Sequence, residues 1–318
     1  MNKNLDKKQR YALLNYLLLI VAFAITFGMI ETGNASRHMQ SLLVPICINI
    51  MLALSLNLVV GFLGELSLGH AGFMSLGAYA GCLFSVYTNG MFPDMIRFIL
   101  ALLIGGITSG FFGLLVGIPV LKLKGDYLAI VTLAFGEIVR SVLINLSITG
   151  GASGLKGVPQ DSSFLAGFIL VMITLVVITN LTNSKDGRAI MSIRDNKIAA
   201  EACGLNVNYY KIATFVISSF FAGMAGVLYG HNFAVLNAGV FDYNRSIEIL
   251  VIVVLGGMGS IRGSIISGIL ITILPEALRG LQEYRMLIYA VVLILVMLIT
   301  SSPKFAEFKQ RLMLKNKK

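Results

Sequence analysis

Residues 41–60 read SLLVPICINIMLALSLNLVV, a run of 20 positions without a charged side chain. An α-helix of about 20 apolar residues crosses the hydrocarbon core of a lipid bilayer. Similar apolar runs recur along the chain at Tyr11–Ile30, Leu66–Tyr87, Met95–Val120, Tyr127–Leu146, Phe164–Leu181, Ile212–Ala234, Ile247–Met258, Gly263–Leu278 and Met286–Ser301. The sequence therefore predicts an all-α, polytopic transmembrane helical bundle of about ten spans, two of them short and broken by glycine. Residues 1–318 are expected to form a single transmembrane domain.

The composition excludes a soluble globular protein. Hydrophobic residues make up 57% of the chain and charged residues only 13%, whereas soluble domains contain about 25% charged residues. The net charge of +10 does not indicate a nucleic-acid partner, because the basic residues lie between apolar runs and at both ends. With a cytoplasmic amino terminus, 18 of the 25 Lys and Arg residues fall on the inside. The positive-inside rule then predicts a multi-pass membrane protein with both termini in the cytoplasm.

Two connecting segments are longer than the others. Residues 147–163 are rich in Gly, Ser and Pro and predict an ordered external loop. Residues 182–211 carry eight charged side chains and form a sizeable internal loop, where a cytoplasmic partner is expected to dock. Within that loop Asp195 and Asn196 are suited to capping a short helix, and Gly204 suits the position just after its end.

Two glycine-rich stretches, Asn57–Gly77 and Val251–Gly268, share one pattern. Each passes from apolar residues through closely spaced glycines to a segment rich in small residues. Paired broken segments in the two halves of a transporter indicate the transport pathway. The alternative is that these glycines only allow membrane helices to pack closely.

Ionisable residues inside or beside the spans admit two interpretations. Glu65 and His70 flank a turn and the start of a helix, so they either border the mouth of a pathway or stabilise the helix end and the bundle. Glu137 and Arg140 are spaced i, i+3 in one span, so they either neutralise each other in the packing or line the pathway. The same two interpretations hold for Glu248 and Glu276.

Catalytic and metal-binding patterns point to no enzyme. The sequence contains no GxxxxGK[ST] phosphate loop and no HExxH motif, so ATP hydrolysis by that loop is not expected. Cys47, Cys82 and Cys203 lack CxxC spacing and predict neither a disulfide framework nor a metal site. Ser153, in a GxSG sequence, and His231 would suit an intramembrane serine protease. Ser153 nevertheless falls in a polar external loop, where short glycine-serine sequences are common, so no catalytic residue is predicted.

Five stretches together resemble one family of membrane proteins. Residues 187–207 (GRAIMSIRDNKIAAEACGLNV) are similar to the EAA-type coupling segment of ABC importer permeases. GELSLGHAGFMSLGAYA (64–80), GDYLAIVTLAFGEIVR (125–140), TGGASGLKGVP (149–159) and VVLGGMGSIRGSIISG (253–268) agree with it in order. The whole pattern resembles LivM-like branched-chain amino acid permeases over most of the chain. Glu65 departs from the pattern, since family members often carry Gln there.

The resemblance implies a permease subunit of an ABC importer that lies in the plasma membrane of a prokaryote, carries leucine, isoleucine or valine and is not itself an enzyme. It also implies four kinds of partner: a second, homologous permease in a heterodimer, two cytoplasmic ATP-binding subunits, an extracytoplasmic solute-binding protein, and the lipid bilayer. No cofactor is expected on this chain, because ATP and magnesium belong to the partner subunits. Related permeases carry urea, short amides or other amino acids, and an ion-coupled secondary transporter would also explain the broken helices.

Two sets of site residues follow from the resemblance. The set expected to couple to the ATPase consists of Arg188, Arg194, Asp195, Asn196, Ala199, Ala200, Glu201, Ala202 and Gly204. The set expected to line or gate the pathway consists of Gly61, Gly64, Glu65, Ser67, Gly69, His70, Glu137, Arg140, Gly256, Gly257 and Gly259.

Overall fold

A computed structural model describes residues 37–123, 125–233 and 235–277, together with positions 290, 291 and 294. Apart from those three isolated positions, the predicted spans at Tyr11–Ile30 and Met286–Ser301 lie outside the described residues. The described helices are α1 Arg37–Asn57, α2 His70–Tyr87, α3 Asp94–Val120, α4 Asp126–Asn145, α5 Phe164–Asn183, α6 Lys185–Asp195, α7 Lys197–Ala202, α8 Val207–Gly230, α9 Tyr243–Gly256 and α10 Ile261–Ala277.

Five helical segments in the described part are long and apolar enough to cross a membrane. They are α1 with its continuation to Leu63, and then α3, α4, α5 and α8. The predicted span Leu66–Tyr87 begins later than expected, at His70, while α9 and α10 are short helices of 14 and 17 residues. The helical membrane fold is therefore confirmed, and the total of about ten spans stays a prediction.

Helix α1 forms the centre of the bundle. In the segment Gln40–Leu63, 89% of the most apolar window is buried, against 33% for α4. Around it, α2, α3 and α8 approach one another closely because glycines face each other. A Cβ atom on Gly77 of α2 would lie 2.2 Å from the Cα of Gly223 on α8. The hydrophobic effect does not drive helix association inside a bilayer. Small residues at such crossings instead let the helices approach closely, so that van der Waals contacts stabilise the packing.

The end of α1 is irregular in a way that shapes the site below. Leu58–Leu63 form a π-helical turn, and Gly64 follows in the left-handed conformation with φ 80°. Residues 65–69 are not helical, and α2 begins at His70. Non-helical backbone between two membrane helices is tolerated where protein buries it or where it lines a cavity.

The segment at residues 147–163, predicted to lie outside, contains a short strand. This strand, β1 (Leu155–Lys156), pairs antiparallel with β2 (Val235–Leu236), and the two form a small sheet beside the described helices. The hydroxyl of Tyr79 donates to the carbonyl of Leu236 at 3.0 Å and ties this sheet to α2. The buried guanidinium of Arg97 holds the loop through Asp161, with 2.8 Å between Nη2 and Oδ2.

The segment at residues 182–211 connects two spanning helices and is more helical than predicted. It holds α6, α7 and the start of α8. The hydroxyl of Ser184 caps α6 by accepting from Gly187 N at 3.1 Å. Ile190 and Ile193 of that helix are buried, and a cap plus an i, i+3 apolar pair stabilises a helix despite many charges. The single predicted helix from Asp195 to Gly204 is thus shorter, at Lys197–Ala202, and a second helix precedes it.

Candidate coupling and pathway site

The two glycine-rich stretches meet in space. A Cβ atom on Gly61, in the π-helical turn, would lie 2.2 Å from the backbone nitrogen of Gly259. Gly259 and Gly257 form the turn between α9 and α10, with φ values of 79° and 87° that favour glycine. The same turn brings α9 and α10 together so closely that a Cβ on Gly256 would lie 2.4 Å from the carbonyl carbon of Gly263. The break between the two short helices therefore packs directly on the end of α1.

Asn57 holds this contact together, although sequence analysis did not select it. Its Nδ2 donates to Ser264 Oγ at 2.9 Å and to the Ser260 carbonyl at 3.2 Å. Its Oδ1 accepts from Gly259 N at 2.8 Å. Asn57 is 1% exposed, so these bonds satisfy an amide that would otherwise be buried without partners. An amide within an apolar run was the signal that could have identified it.

Arg194 connects the internal helices to the same contact. Its Nη1 donates to the Gly61 carbonyl at 3.0 Å and lies 3.6 Å from where a Cβ on Gly259 would be. Its aliphatic stem fills the space beside Gly64, since a Cβ there would lie 2.5 Å from the Arg194 Cγ. The remaining donors, Nε and Nη2, bind Asp195 Oδ1 at 3.0 and 2.8 Å. One side chain at the end of α6 thus contacts both broken segments.

Helix α7 is shorter than predicted, and one of its two candidate capping residues caps it. Asn196 caps it by accepting from Ala199 N at 3.0 Å, whereas Asp195 ends α6 and caps nothing. After the helix, Leu205 N donates to the Ala200 carbonyl at 3.1 Å and Gly204 N to the Glu201 carbonyl at 3.0 Å. This is a Schellman ending, and Gly204 takes its left-handed position with φ 81°.

The outward face of α7 is available to a partner. Ala200 is buried, while Ala199, Glu201 and Ala202 are exposed, as is Arg188 on α6. Ile198 also belongs to this face and is 79% exposed, which sequence analysis overlooked because it sought small and charged residues. Within the described residues, Glu201 is paired with Lys197 at 3.7 Å on the exposed surface.

The irregular segment after α1 is held by polar contacts. Glu65 and Lys211 form an ion pair in which their side chains are only 16% and 7% exposed. The partner of Glu65 could not be found from the sequence, because Lys211 lies 146 positions away. His70 is buried and shares a 2.8 Å hydrogen bond between its Nε2 and Ser55 Oγ, as expected of a structural histidine. Ser67 and Gly69 are buried here too, and a Cβ on Gly69 would lie 2.3 Å from the Thr132 carbonyl.

Glu137 and Arg140 form the ion pair that their i, i+3 spacing allows, and whether they also line the pathway stays open. The Arg140 Nη2 lies 2.8 Å from Glu137 Oε2, and the two side chains are 32% and 29% exposed. Glu137 Oε1 also accepts from Tyr243 N at 2.9 Å, at the first residue of α9. A second pair, Arg245 and Glu248, follows in α9 at 2.7 Å.

The protease arrangement does not form. Ser153 lies exposed in the external loop, in a 3-10 turn. His231 is buried and contacts Ser85 Oγ through its Nε2 at 2.9 Å. Across the described part of the chain, no group of three or more His, Cys, Asp or Glu residues could hold a metal ion.

Apolar spanning helices, glycine breaks that meet at the end of α1 and buried polar contacts between them are typical of multi-pass membrane transport proteins. Residues 38–298 match the family described as "Branched-chain amino acid transport system / permease component". The chain belongs to this family of permease components, and the resemblance seen in the sequence is confirmed. It is accordingly an inner-membrane, multi-pass protein of a transport system.

Individual relatives agree with the family. LivM of Escherichia coli K12, a "high-affinity branched-chain amino acid transport system permease protein", is 34% identical over 346 aligned positions, which cover 97% of this chain and 78% of the relative. LivM of Salmonella typhimurium is 33% identical over 88% of this chain and 72% of its own. LivH of E. coli K12, another permease protein of that description, is 32% identical over 41% of this chain and 42% of its own. Similarity to both LivM and LivH implies a second permease subunit. No solved structure matches the chain.

Proposed function

We propose that this chain is one permease subunit of an ABC importer that moves leucine, isoleucine or valine into the cell, driven by ATP hydrolysed on other subunits. The observation that carries the proposal is the 34% identity to a branched-chain amino acid permease along 78% of that relative's length. The working importer contains this chain, a homologous permease as its heterodimer partner, two cytoplasmic ATP-binding subunits and an extracytoplasmic solute-binding protein. ATP and magnesium bind to the ATPase subunits and not to this chain.

The exposed face of α6 and α7 is the proposed ATPase contact. It presents small residues between charges, with Arg188 on α6 and Glu201 on α7. Arg194, at the carboxyl end of α6, then carries a displacement of this face to the Gly61 carbonyl through its 3.0 Å hydrogen bond. A charged donor at this position supports coupling because such hydrogen bonds are about twice as strong as neutral ones.

The contact between Gly61 and Gly259 is the proposed gate of the pathway. The π-helical turn and the α9–α10 turn are the irregular elements that meet there, and irregular turns absorb backbone rotations at a lower energy than regular helices do. In this proposal the gate is supported by the irregular segment after α1 and the start of α2, through Glu65, Ser67, Gly69 and His70. Orientation follows the positive charge, with both termini, α6 and α7 in the cytoplasm and residues 147–163 outside.

Reconstitution tests the proposed function. The chain is placed in proteoliposomes with its permease partner, its two ATPases and the binding protein, and uptake of radiolabelled leucine is measured with and without ATP. We expect ATP-dependent uptake that needs every subunit, and no ATP hydrolysis by this chain alone. Uptake by the chain alone under a sodium or proton gradient would contradict the proposal and identify a secondary transporter. If ATP drives uptake of urea or amides but not of leucine, the proposed ABC importer would stand and the proposed substrate class would be wrong.

A further inference from the structure

Charged side chains in the middle of a spanning helix are incompatible with a lipid-facing surface. Glu137 stands 11 residues after the start of α4, Asp126, and eight before its end, Asn145, which is about 16 Å and about 12 Å along the helix axis. The side chains of Glu137 and its ion-pair partner Arg140 are nonetheless each about one-third exposed. Among the described residues, this ion pair therefore lies uncovered near the middle of a span.

The neighbouring α9 extends the same polar surface. Its first residue, Tyr243, is bonded to Glu137, so α9 begins at the depth where α4 carries its charges. Two residues later Arg245 pairs with Glu248, whose side chain is 36% exposed. Arg245 also donates to Asn49 Oδ1 at 2.6 Å, which ties this face to the central helix α1. Two ion pairs thus follow each other along the face formed by α4 and α9, which we name the α4–α9 face.

Other exposed faces of the bundle are different in character. On α3 the outward side chains in mid-helix are Leu103, Ile107 and Phe111, and on α5 they include Ile169 and Ile173. These surfaces are apolar and match hydrocarbon, whereas the α4–α9 face places two ion pairs among exposed apolar residues such as Ile138 and Val142. The contrast separates a lipid-facing side of the molecule from a side that needs a protein cover.

We infer that the α4–α9 face is the surface covered by the second, homologous permease subunit, and that Glu137 and Arg140 lie in the seam between the two permeases. The inference rests on the proposed function for its partner. A permease of the same family is a suitable partner for this face, because it is itself a helical membrane protein that presents side chains at the depth of the ion pairs. The similarity of this chain to two related permeases supports such a pairing. Only 33% of the apolar window of α4 is buried, so within the described part of the chain most of that helix is exposed.

Two matched isoleucines allow a sharp test. Ile138 on α4 is 62% exposed next to Glu137, and Ile107 on α3 is 61% exposed in mid-helix. Each is changed to cysteine in a Cys203→Ser background, which leaves the buried Cys47 and Cys82 in place. The variants are assembled in the complete importer with a tagged second permease and modified with a benzophenone maleimide. After illumination, crosslinked permease pairs are quantified by immunoblot.

We expect at least tenfold more crosslinking to the second permease from Ile138→Cys than from Ile107→Cys. Equal yields, or a larger yield from Ile107→Cys, would overturn the inference. It would also fail if mass spectrometry assigned the Ile138→Cys crosslinks to residues 286–301 of the same chain, or if the two permeases did not copurify. Leucine uptake by the same complexes is measured separately. A complex that crosslinks as expected but does not import leucine would refute the proposed substrate and leave the interface standing.

Discussion

Arg194 concentrates several roles in one side chain. It fills the space beside Gly64, donates to the Gly61 carbonyl and binds the carboxylate of its neighbour Asp195. Gly61 and Arg194 are 133 positions apart in sequence, so this bond joins the internal helices to the end of α1 across the fold. A lysine could not copy it, because a single ammonium lacks the planar fork that binds two acceptors at once.

From these contacts we predict that Arg194→Gln uncouples ATP hydrolysis from transport. Losing a hydrogen bond to a charged group costs about 1.5–3 kcal/mol, and about 1.4 kcal/mol corresponds to a factor of ten in an equilibrium. Leucine uptake per ATP hydrolysed in proteoliposomes should therefore fall about tenfold. Arg188→Gln is the contrast, because the exposed Arg188 lies on the proposed ATPase contact and its 3.4 Å bond goes to the Asn183 carbonyl, not to the Gly61–Gly259 contact. It should lower hydrolysis and uptake together and leave their ratio unchanged. An unchanged ratio in Arg194→Gln, with both variants assembled normally, would rule out the role given to Arg194.

Gly61 is the second residue whose replacement is decisive. A methyl group on Gly61 would lie 1.9 Å from Asn57 Oδ1 and 2.2 Å from Gly259 N. Overpacking of this kind costs about 1–3 kcal/mol, so Gly61→Ala should lower the melting temperature of the purified protein by roughly 3–10 °C. Gly110→Ala on α3 meets its nearest neighbour at 3.6 Å and should be neutral or stabilising. Equal melting temperatures for the two variants would show that the contact between Gly61 and Gly259 is not as close as described.

Helix α7 is the element that meets the ATPase in the proposal, and it is short. Its stability depends on its ends, namely the Asn196 cap and the Schellman turn at Gly204. No atom lies within 4 Å of a Cβ placed on Gly204, so a substitution there changes the backbone preference without creating a clash. The exposed Lys197 and Glu201 pair contributes little stability, as surface ion pairs generally do.

These features predict how variants of α7 behave. Gly204→Val should distort the helix end, since a left-handed residue with a Cβ costs about 1–2 kcal/mol, whereas Gly204→Asn should be tolerated. Glu201→Lys should disturb a contact with the ATPase rather than the fold. For Gly204→Val and Glu201→Lys we expect substrate-stimulated ATP hydrolysis and uptake to fall together, by about threefold or more.

Membrane insertion and the binding protein's affinity for leucine should stay unchanged in these variants, because neither residue lies in a spanning helix. A pull-down of the ATPase subunits accompanies the activity measurements. Full activity and normal assembly in Gly204→Val and Glu201→Lys would reduce α7 to a plain connection between α6 and α8.

The orientation of the whole molecule follows from the placement of its positive charge. The structure makes that orientation testable with a single thiol, because Cys47 and Cys82 are buried and Cys203 is exposed. In intact cells a membrane-impermeant maleimide should leave Cys203 unlabelled, and in inside-out vesicles it should label it. Lys156→Cys in a Cys203→Ser background serves as the control, since the exposed Lys156 lies in the loop expected outside. Ready labelling of Cys203 in intact cells would reverse the predicted topology.

The sequence by itself determined the features that depend on neighbouring residues. Long apolar runs predicted α1, α3, α4, α5 and α8, because a helix satisfies its own backbone within the bilayer. The i, i+3 spacing allowed the pair of Glu137 and Arg140 as one of two interpretations, and the left-handed preference of glycine predicted Gly204 just beyond the end of α7. The pattern of five stretches also indicated the family that residues 38–298 match.

Only the tertiary structure decided which distant groups meet. Asn57 and Gly259 are 202 positions apart, and Glu65 and Lys211 are 146 apart, so no local periodicity relates them. Charge density hid α6, because the rule that associates charge with loops competes with helix capping by Ser184. Helix caps and residue spacing act over a few neighbouring residues. Contacts between residues this far apart are determined by the way the helices pack together. That is why the contact joining Gly61, Gly259 and Arg194 was visible only once the bundle was assembled.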